Sequence, residues 1–289
     1  MTIYPSISII IPTYTSSEKY IQTCILSINN QNYPKDKIEI LVVDNESKDN
    51  TVKISKKLGA FVYTVIGKPS QACNQRNLGA MKAKGEYLLF LDHDMELENN
   101  LLSNFSELVS KTKSKIDGWY IPEQIIASNN LFSLIRNYER SFYNQTVIDA
   151  IRIIKKEAFL KTKSQYDPLL SNGPADWDLD IQLEKIGCKF GILKKCVYHH
   201  EEKLSLRQYI SKKSLYSSGI EKYISKWKND NYVFNDIIKK QFGIFYRSIG
   251  VFTENGKWKK LILGFPLYFF LLILKTIIYI HFKMNKKYE

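Results

Sequence analysis

Asp92 and Asp94 stand one residue apart, directly after the apolar run Tyr87-Leu88-Leu89-Phe90-Leu91. A buried strand that ends this way presents two hard oxygen ligands on its exit side, and such ligands suit Mg²⁺ or Mn²⁺. A cation held by few protein ligands keeps positions open for substrate phosphates. That points to chemistry on a nucleotide diphosphate. The same Asp-x-Asp spacing is also ordinary turn chemistry, so the motif alone leaves both readings open.

The elements around it must bring further groups to the same edge. Ile7–Ile11 is β-branched, ends at Pro12 and reads as a strand; Glu18–Asn30 has Tyr20, Cys24, Ile25 and Ile28 at helical spacing. Ile38–Val43 is a second apolar strand ending at Asp44, Thr51–Leu58 a helix stopped by Gly59, and Phe61–Ile66 a third strand. Gln71–Ala83 is a helix, Tyr87–Leu91 a fourth strand and Leu97–Val109 a helix. Gly118–Ala150 is aromatic-rich without a clear period. Asp176–Ile186 is a helix stopped by Gly187, Phe190–Leu193 and Val197-Tyr198 are short strands, and Leu204–Lys226 is amphipathic and basic. Alternation of this kind predicts an α/β domain with a mostly parallel sheet. Ligands of such sheets gather at the carboxyl ends of the strands, where Asp44 and Asp92 both lie.

The chain has 289 residues, 44% of them hydrophobic, and a net charge of +13. Residues 1–200 carry 25 basic and 22 acidic side chains, or +3; residues 201–289 carry 17 and 7, or +10. Basic surplus suits nucleic acid or anionic membrane, but here it accompanies the most apolar stretch of the chain, Leu261–Phe282, which favours membrane. As a helix those residues would reach about 33 Å, enough to cross a bilayer. Gly264, Pro266, Lys275 and His281 interrupt the stretch, and lysines flank it at 257, 259, 260, 283, 286 and 287. This pattern favours a helix lying on or dipping into an anionic surface over a clean span, with a core helix as the alternative. The four cysteines show no Cys-x-x-Cys pair, and Cys188, Cys196, His199 and His200 match no common zinc spacing. No secretory signal is visible, so a reducing cytoplasm is expected.

Taken together, these residues resemble the family 2 glycosyltransferases, over roughly residues 5 to 225. Ser8-Ile9-Ile10-Ile11-Pro12-Thr13-Tyr14 is similar to that family's first strand and nucleotide loop, with Thr15 where Asn is usual. Val42-Val43-Asp44-Asn45-Glu46-Ser47 with Asp49 and Thr51 resembles the second strand and acidic turn, and Arg76-Asn77-Leu78-Gly79 the Arg-Asn-x-Gly helix. Gly85 through Asp92-His93-Asp94 resembles the metal strand, Asp176-Trp177-Asp178-Leu179 the later acidic helix, and Val197-Tyr198-His199 the strand with a metal-side histidine.

The resemblance implies a GT-A fold, a Rossmann-like and mostly parallel sheet flanked by helices. It implies Pro12, Thr13, Tyr14, Asp44, Arg76, Asn77 and Asp92 as nucleotide-sugar contacts. Asp94, with Asp92 and His199, would hold Mn²⁺ or Mg²⁺. His93 should point away, since alternate residues of an extended segment face opposite ways. Asp176 is the expected catalytic base; Ala175 stands where the family usually has Glu, so the base role passes to Asp176 alone. Asp176, Asp178 and Asp180 also resemble the start of a calcium loop, but Ile181 and Gly187 stand where such a loop needs Gly and Glu.

The sequence therefore predicts a metal-dependent glycosyltransferase, its catalytic domain at 1–225 and a basic helical region at 226–289 that carries a membrane-associated segment, 261–282. It should move a sugar, with inversion, from a nucleotide-diphosphate donor, UDP-sugars favoured, to a lipid-linked or cell-envelope glycan acceptor. The expected setting is the anionic cytoplasmic face of the membrane, with no nucleic-acid partner. Two rivals remain. A sugar-phosphate nucleotidyltransferase should carry a Gly-rich basic loop, which Pro12-Thr13-Tyr14-Thr15 does not supply; a non-catalytic membrane-surface protein would not need Asp44, Asp92, Asp94 and Asp176 together.

Overall fold

The computed structural model describes residues 3–15, 18–67, 72–113, 115–126, 130–171, 173–201 and 217–285. The first strand, β1 (Ile7–Thr13), is buried at every position. Its side chains alternate between two cores, as they must in a strand covered on both faces. Ile7, Ile9 and Ile11 join Ile21, Cys24, Ile25 and Ile28 of α1 (Glu18–Asn29), whereas Ile10 joins the core on the other face. Tyr20 lies outside the buried stripe of α1; Ile21 takes that place.

Next come β2 (Ile38–Asp44), α2 (Thr51–Lys57), β3 (Phe61–Thr64), α3 (Ala72–Lys82) and β4 (Tyr87–Phe90). A Cβ at position 79 would collide with Ile10, so α3 can approach β1 this closely only with glycine there. The helix expected from Leu97 starts later. Met95–Leu97 is a strand, β5, and α4 spans Leu101–Thr112. Pairing with a distant strand outweighs local helical spacing at those residues.

The unreadable middle contains β6 (Gly118–Tyr120), β7 (Glu123–Ile126), α5 (Leu131–Arg140), β8 (Ile151–Lys155) and α6 (Lys156–Lys161). It is followed by α7 (Ala175–Lys185), β9 (Phe190–Ile192) and β10 (Val197–His200). The main sheet runs β3-β2-β1-β4-β8-β6-β9, and only β8 is antiparallel to its neighbours. A second sheet, β5-β10-β7, stands over the carboxyl edge of the first. Its register places His199 opposite Met95 on one side and Ile125 on the other.

Most of the amphipathic segment expected at Leu204–Lys226 lies outside the described residues; its last part belongs to the Ser217–Trp227 helix. Tyr223, Val233 and Ile237 join the core beneath α3 and α7. The apolar C-terminal stretch divides at Gly264 into helices Trp258–Leu263 and Phe265–Asn285. The second packs on α5, so that Tyr268, Leu271 and Leu274 share a third core with Ile135, Phe142 and Phe252. Among the described residues no helix is long and apolar enough to cross a membrane.

Candidate active site

The parallel register of β1 and β2 sets Thr13 beside Asp44 at the carboxyl edge. Asp44 is 2% exposed, and both its oxygens are engaged: the Thr13 hydroxyl donates at 3.0 Å and the Ser47 N–H at 2.8 Å. Gln75, buried on α3, closes the space beneath. Its amide nitrogen donates to the carbonyls of Thr13 and Val43, each at 2.7 Å. At this end of the edge neutral donors surround one buried carboxylate, and Tyr14, the residue after β1, is exposed.

Past the end of β4 the character changes. The Arg76 guanidinium donates to Asp92 at 2.7 Å, lies 3.6 Å from Asp176 and covers the ring of Tyr166 at 5.0 Å. Arg152 of β8 approaches the other Asp92 oxygen at 3.7 Å. Burial penalises the Asp92 charge, but these two arginines overcome it and hold the carboxyl well below the usual carboxylate range. Asn77, the neighbour of Arg76, exchanges two hydrogen bonds with the Tyr166 backbone, at 2.8 and 3.1 Å. It thereby fixes the ring on which Arg76 lies.

Asp94 faces the second sheet. His199 Nε2 is 3.3 Å from its carboxylate, while His199 Nδ1 meets Glu123 at 2.9 Å. Glu123 also receives Arg140 at 2.6 Å and Arg152 at 3.1 Å. Burial would lower the His199 pKa; the Asp94 and Glu123 carboxylates reverse that and raise it to about 10. A divalent cation between Asp94 and His199 would therefore have to displace a proton. Among the described residues no group of three His, Cys, Asp or Glu side chains forms a ready cage. What is present is one oxygen and one nitrogen donor with a carboxylate behind the histidine, a set that suits a divalent cation once phosphate and water fill the remaining positions.

Asp176 lies in the first turn of α7 and is the most solvent-facing of these groups, its side chain 46% exposed. The other two acids of its run face elsewhere. Asp178 is fully buried against Lys226, Trp227 and Gln182, at 2.8, 2.8 and 2.7 Å, and Asp180 receives the Ile151 N–H at 3.2 Å. His200, opposite in direction to His199, pairs with Glu96 and stacks on Tyr20.

The structure thus brings Asp92, Asp94, His199, Arg76 and Asp176 into one connected cluster, with Thr13 and Asp44 at the neighbouring strand ends. Sequence reasoning missed Glu123, Arg140, Arg152 and Tyr166. Arg152 carried a signal, a charge inside the apolar run Ile151 to Ile154. Glu123 carried none, because its importance lies in pairing across a sheet that joins residues far apart in sequence.

The family model described as glycosyl transferase family 2 matches residues 8–160. Glycosyltransferase AglE of Haloferax volcanii is 33% identical over 112 residues, which cover 37% of this chain and 36% of AglE. Poly(ribitol-phosphate) beta-N-acetylglucosaminyltransferase TarS of Staphylococcus aureus is 32% identical over 113 residues, 38% of this chain and 20% of TarS. The alignments therefore span only a minor part of these relatives. In three dimensions, TarS residues 1–349 in complex with UDP-GlcNAc align with a TM-score of 0.53 at 19% identity, covering 82% of this chain and 77% of that one. Mannosyltransferase PcManGT from Pyrobaculum calidifontis, in complex with GDP-Man and Mn²⁺, aligns with a TM-score of 0.59 at 15% identity, covering 96% and 81%. These two likenesses concern the fold. The family match extends from β1 through most of α6, more than half of the chain, and the chain belongs to glycosyl transferase family 2.

Proposed function

We propose that this protein transfers a sugar from a nucleotide-diphosphate donor, a UDP-sugar by preference, to a hydroxyl of a cell-envelope glycan or lipid-linked acceptor, with its catalytic domain in residues 1–225. The observation that carries the proposal is the cluster of Asp94, His199, Arg76 and Asp176 beside the Asp44 cleft, at the edge where α/β sheets bind ligands. The names of the relatives support the donor and acceptor classes: TarS is solved with UDP-GlcNAc and is named as a poly(ribitol-phosphate) beta-N-acetylglucosaminyltransferase. A relative in Methanococcus voltae is named for a dolichyl-linked sugar phosphate.

In this reading the base rests against Pro12, Thr13 and Tyr14 and donates to Asp44. Arg76 and Asp92 lie towards the ribose and diphosphate, and Asn77 acts through Tyr166 by fixing the Arg76 plane. Asp94 and His199 would hold Mn²⁺ or Mg²⁺, which when bound neutralises the departing diphosphate. The acceptor oxygen gives its proton to the Asp176 carboxylate and forms its bond to the anomeric carbon from the face opposite the diphosphate. The sugar–phosphate bond breaks on the other side, its electron pair leaving on the phosphate oxygen, and the configuration inverts. Arg76, 3.6 Å from Asp176, restrains that carboxylate at the open front of the site.

The test is a thermal-shift and hydrolysis screen of UDP-, GDP- and TDP-sugars with Mn²⁺, Mg²⁺ or EDTA. A saturating donor at 100-fold its Kd should stabilise the protein by about 2.7 kcal/mol, and only with metal should it be consumed. If no nucleotide sugar shifts the melting temperature under any metal condition, the donor assignment fails.

A further inference from the structure

The Phe265–Asn285 helix carries apolar residues all round, yet among the described side chains those buried in the protein lie on one side of it. Tyr268, Leu271 and Leu274 face the third core. Lys275 lies on that same side. Its ammonium meets the Glu139 carboxylate at 2.9 Å, donates to the Arg247 carbonyl and lies 5.1 Å from the centre of the Phe252 ring. The one charge in the middle of the apolar stretch is therefore turned inward and neutralised.

On a helical projection Phe265, Phe269, Phe270, Ile273 and Ile277 occupy the opposite arc, about 140° wide at 100° per residue. They are exposed, Phe269 at 54%, Ile273 at 42% and Ile277 at 48%. Thr276 shares the arc, and its hydroxyl donates to the Leu272 carbonyl at 2.9 Å, so no polar group there needs water. Across the break at Gly264, Leu263 and Ile262 of the preceding helix are exposed as well, Leu263 at 87%. A helix apolar on both sides belongs in a core or in lipid, and a soluble surface rarely leaves such a face bare.

We infer that this outer face docks flat on an anionic lipid surface, the helix axis lying in the membrane plane. Charge points to an anionic lipid surface: lysines flank the stretch at 257, 259 and 260 before it and at 283, 286 and 287 after it, and the apolar arc itself carries no charge. At its entrance stand Trp258, 47% exposed, and Lys259, whose ammonium is 5.7 Å from the Trp258 ring. That pairing of aromatic ring and cation is the kind that settles at headgroup depth. Because half of the helix circumference is committed to α5 and the third core, the helix lies on the bilayer rather than crossing it. The inference is independent of the reaction proposed above.

The test is flotation of the full chain with phosphatidylcholine vesicles and with vesicles containing 30% phosphatidylglycerol. Wild type should float with the anionic vesicles and partition at least about 10-fold less to the neutral ones. F269E/I273E should lose flotation by a similar factor while keeping its circular dichroism and melting temperature, because these side chains face away from the core. Leu160→Glu, the same charge placed on an exposed leucine of α6, should float like wild type. Three results would overturn the inference. The first is wild type staying in the lipid-free fraction at both compositions. The second is a dimer seen by light scattering without lipid that F269E/I273E converts to monomer, so that a second copy covers the face. The third is a double variant that melts far below wild type, so that the face is packed within the chain.

Discussion

The two ends of the site are built on different principles. At the Asp44 end one buried carboxylate is surrounded by neutral donors, and Gln75 ties β1 to β2 with two more neutral hydrogen bonds. At the Asp94 end the polar groups are nearly all charged. Arg76, Arg140, Arg152 and His199 alternate with Asp92, Asp94, Glu123 and Asp176 in one chain of contacts. A neutral cleft suits a base, whose edge carries donors and acceptors but no charge. A charge-compensated cluster suits a substrate that brings a diphosphate and a cation together, because incoming charges can exchange partners instead of entering an apolar site unpaired. The contrast also separates the two aspartates of one motif: Asp92 is fixed by two arginines, whereas the ion-pair partner of Asp94 among the described residues is His199.

If the charged end does the chemistry, its open-fronted carboxylate should matter most. Asp176→Asn should lower kcat by roughly 10²-fold or more, the range for loss of a general base, with donor binding by calorimetry unchanged. An equal loss of donor affinity would move Asp176 to the binding side and blur the division.

Asp94→Asn should remove most of the stimulation by Mn²⁺, since an amide is a poorer ligand for a hard cation. Glu123→Gln tests the layer behind it. A carboxylate behind a liganding histidine orients the ring, and its loss typically costs about 10- to 100-fold in metal affinity. Titration of Mn²⁺ by electron paramagnetic resonance reads this directly, without turnover. Glu123 also compensates Arg140 and Arg152, so the variant should lose stability by about 3–5 kcal/mol, as for a broken buried ion pair. Unaltered Mn²⁺ affinity in a folded Glu123→Gln protein would leave Glu123 a purely structural partner of the arginines.

How far the sequence reveals this division depends on how locally each part is encoded. Asp44 and Asp92 end or follow apolar strands, and parallel alternation of strand and helix dictates that such ends share one edge. The positions of β1, β2, β4 and α7 follow from local patterns for the same reason. Strand β5 and the start of α4 do not: Met95–Leu97 is extended because β10, about a hundred residues later, pairs with it. Glu123 and Arg140 are illegible for a related cause. They sit in the aromatic middle, and only the β10–β7 register brings Glu123 behind His199. Lys275 misled in the opposite way. Read along the chain it interrupts an apolar helix, yet packing on α5 supplies Glu139 as its partner. Charged residues whose partners are remote in sequence are the part that pattern reading cannot pair.

The smallest expected effect belongs to the neutral end. Gln75→Leu keeps the side-chain size and removes both amide hydrogen bonds. Thr13 O still accepts the Asn45 N–H at 3.0 Å and Val43 stays in the β1–β2 ladder, so each carbonyl loses an extra donor and neither is left unpaired. Two such bonds contribute about 0.5–1.5 kcal/mol each, and the melting temperature falls by roughly 2–4 °C per kcal/mol for a domain of this size. Mn²⁺ affinity should not change, because no ion pair is disturbed, and donor affinity should fall modestly as the Thr13–Asp44 edge loosens. Calorimetric titrations of donor and of Mn²⁺ on the same protein separate the two. If Gln75→Leu weakened Mn²⁺ binding as strongly as Glu123→Gln does, the two ends would be one coupled network, and the division between a neutral cleft and a charged cluster would be wrong.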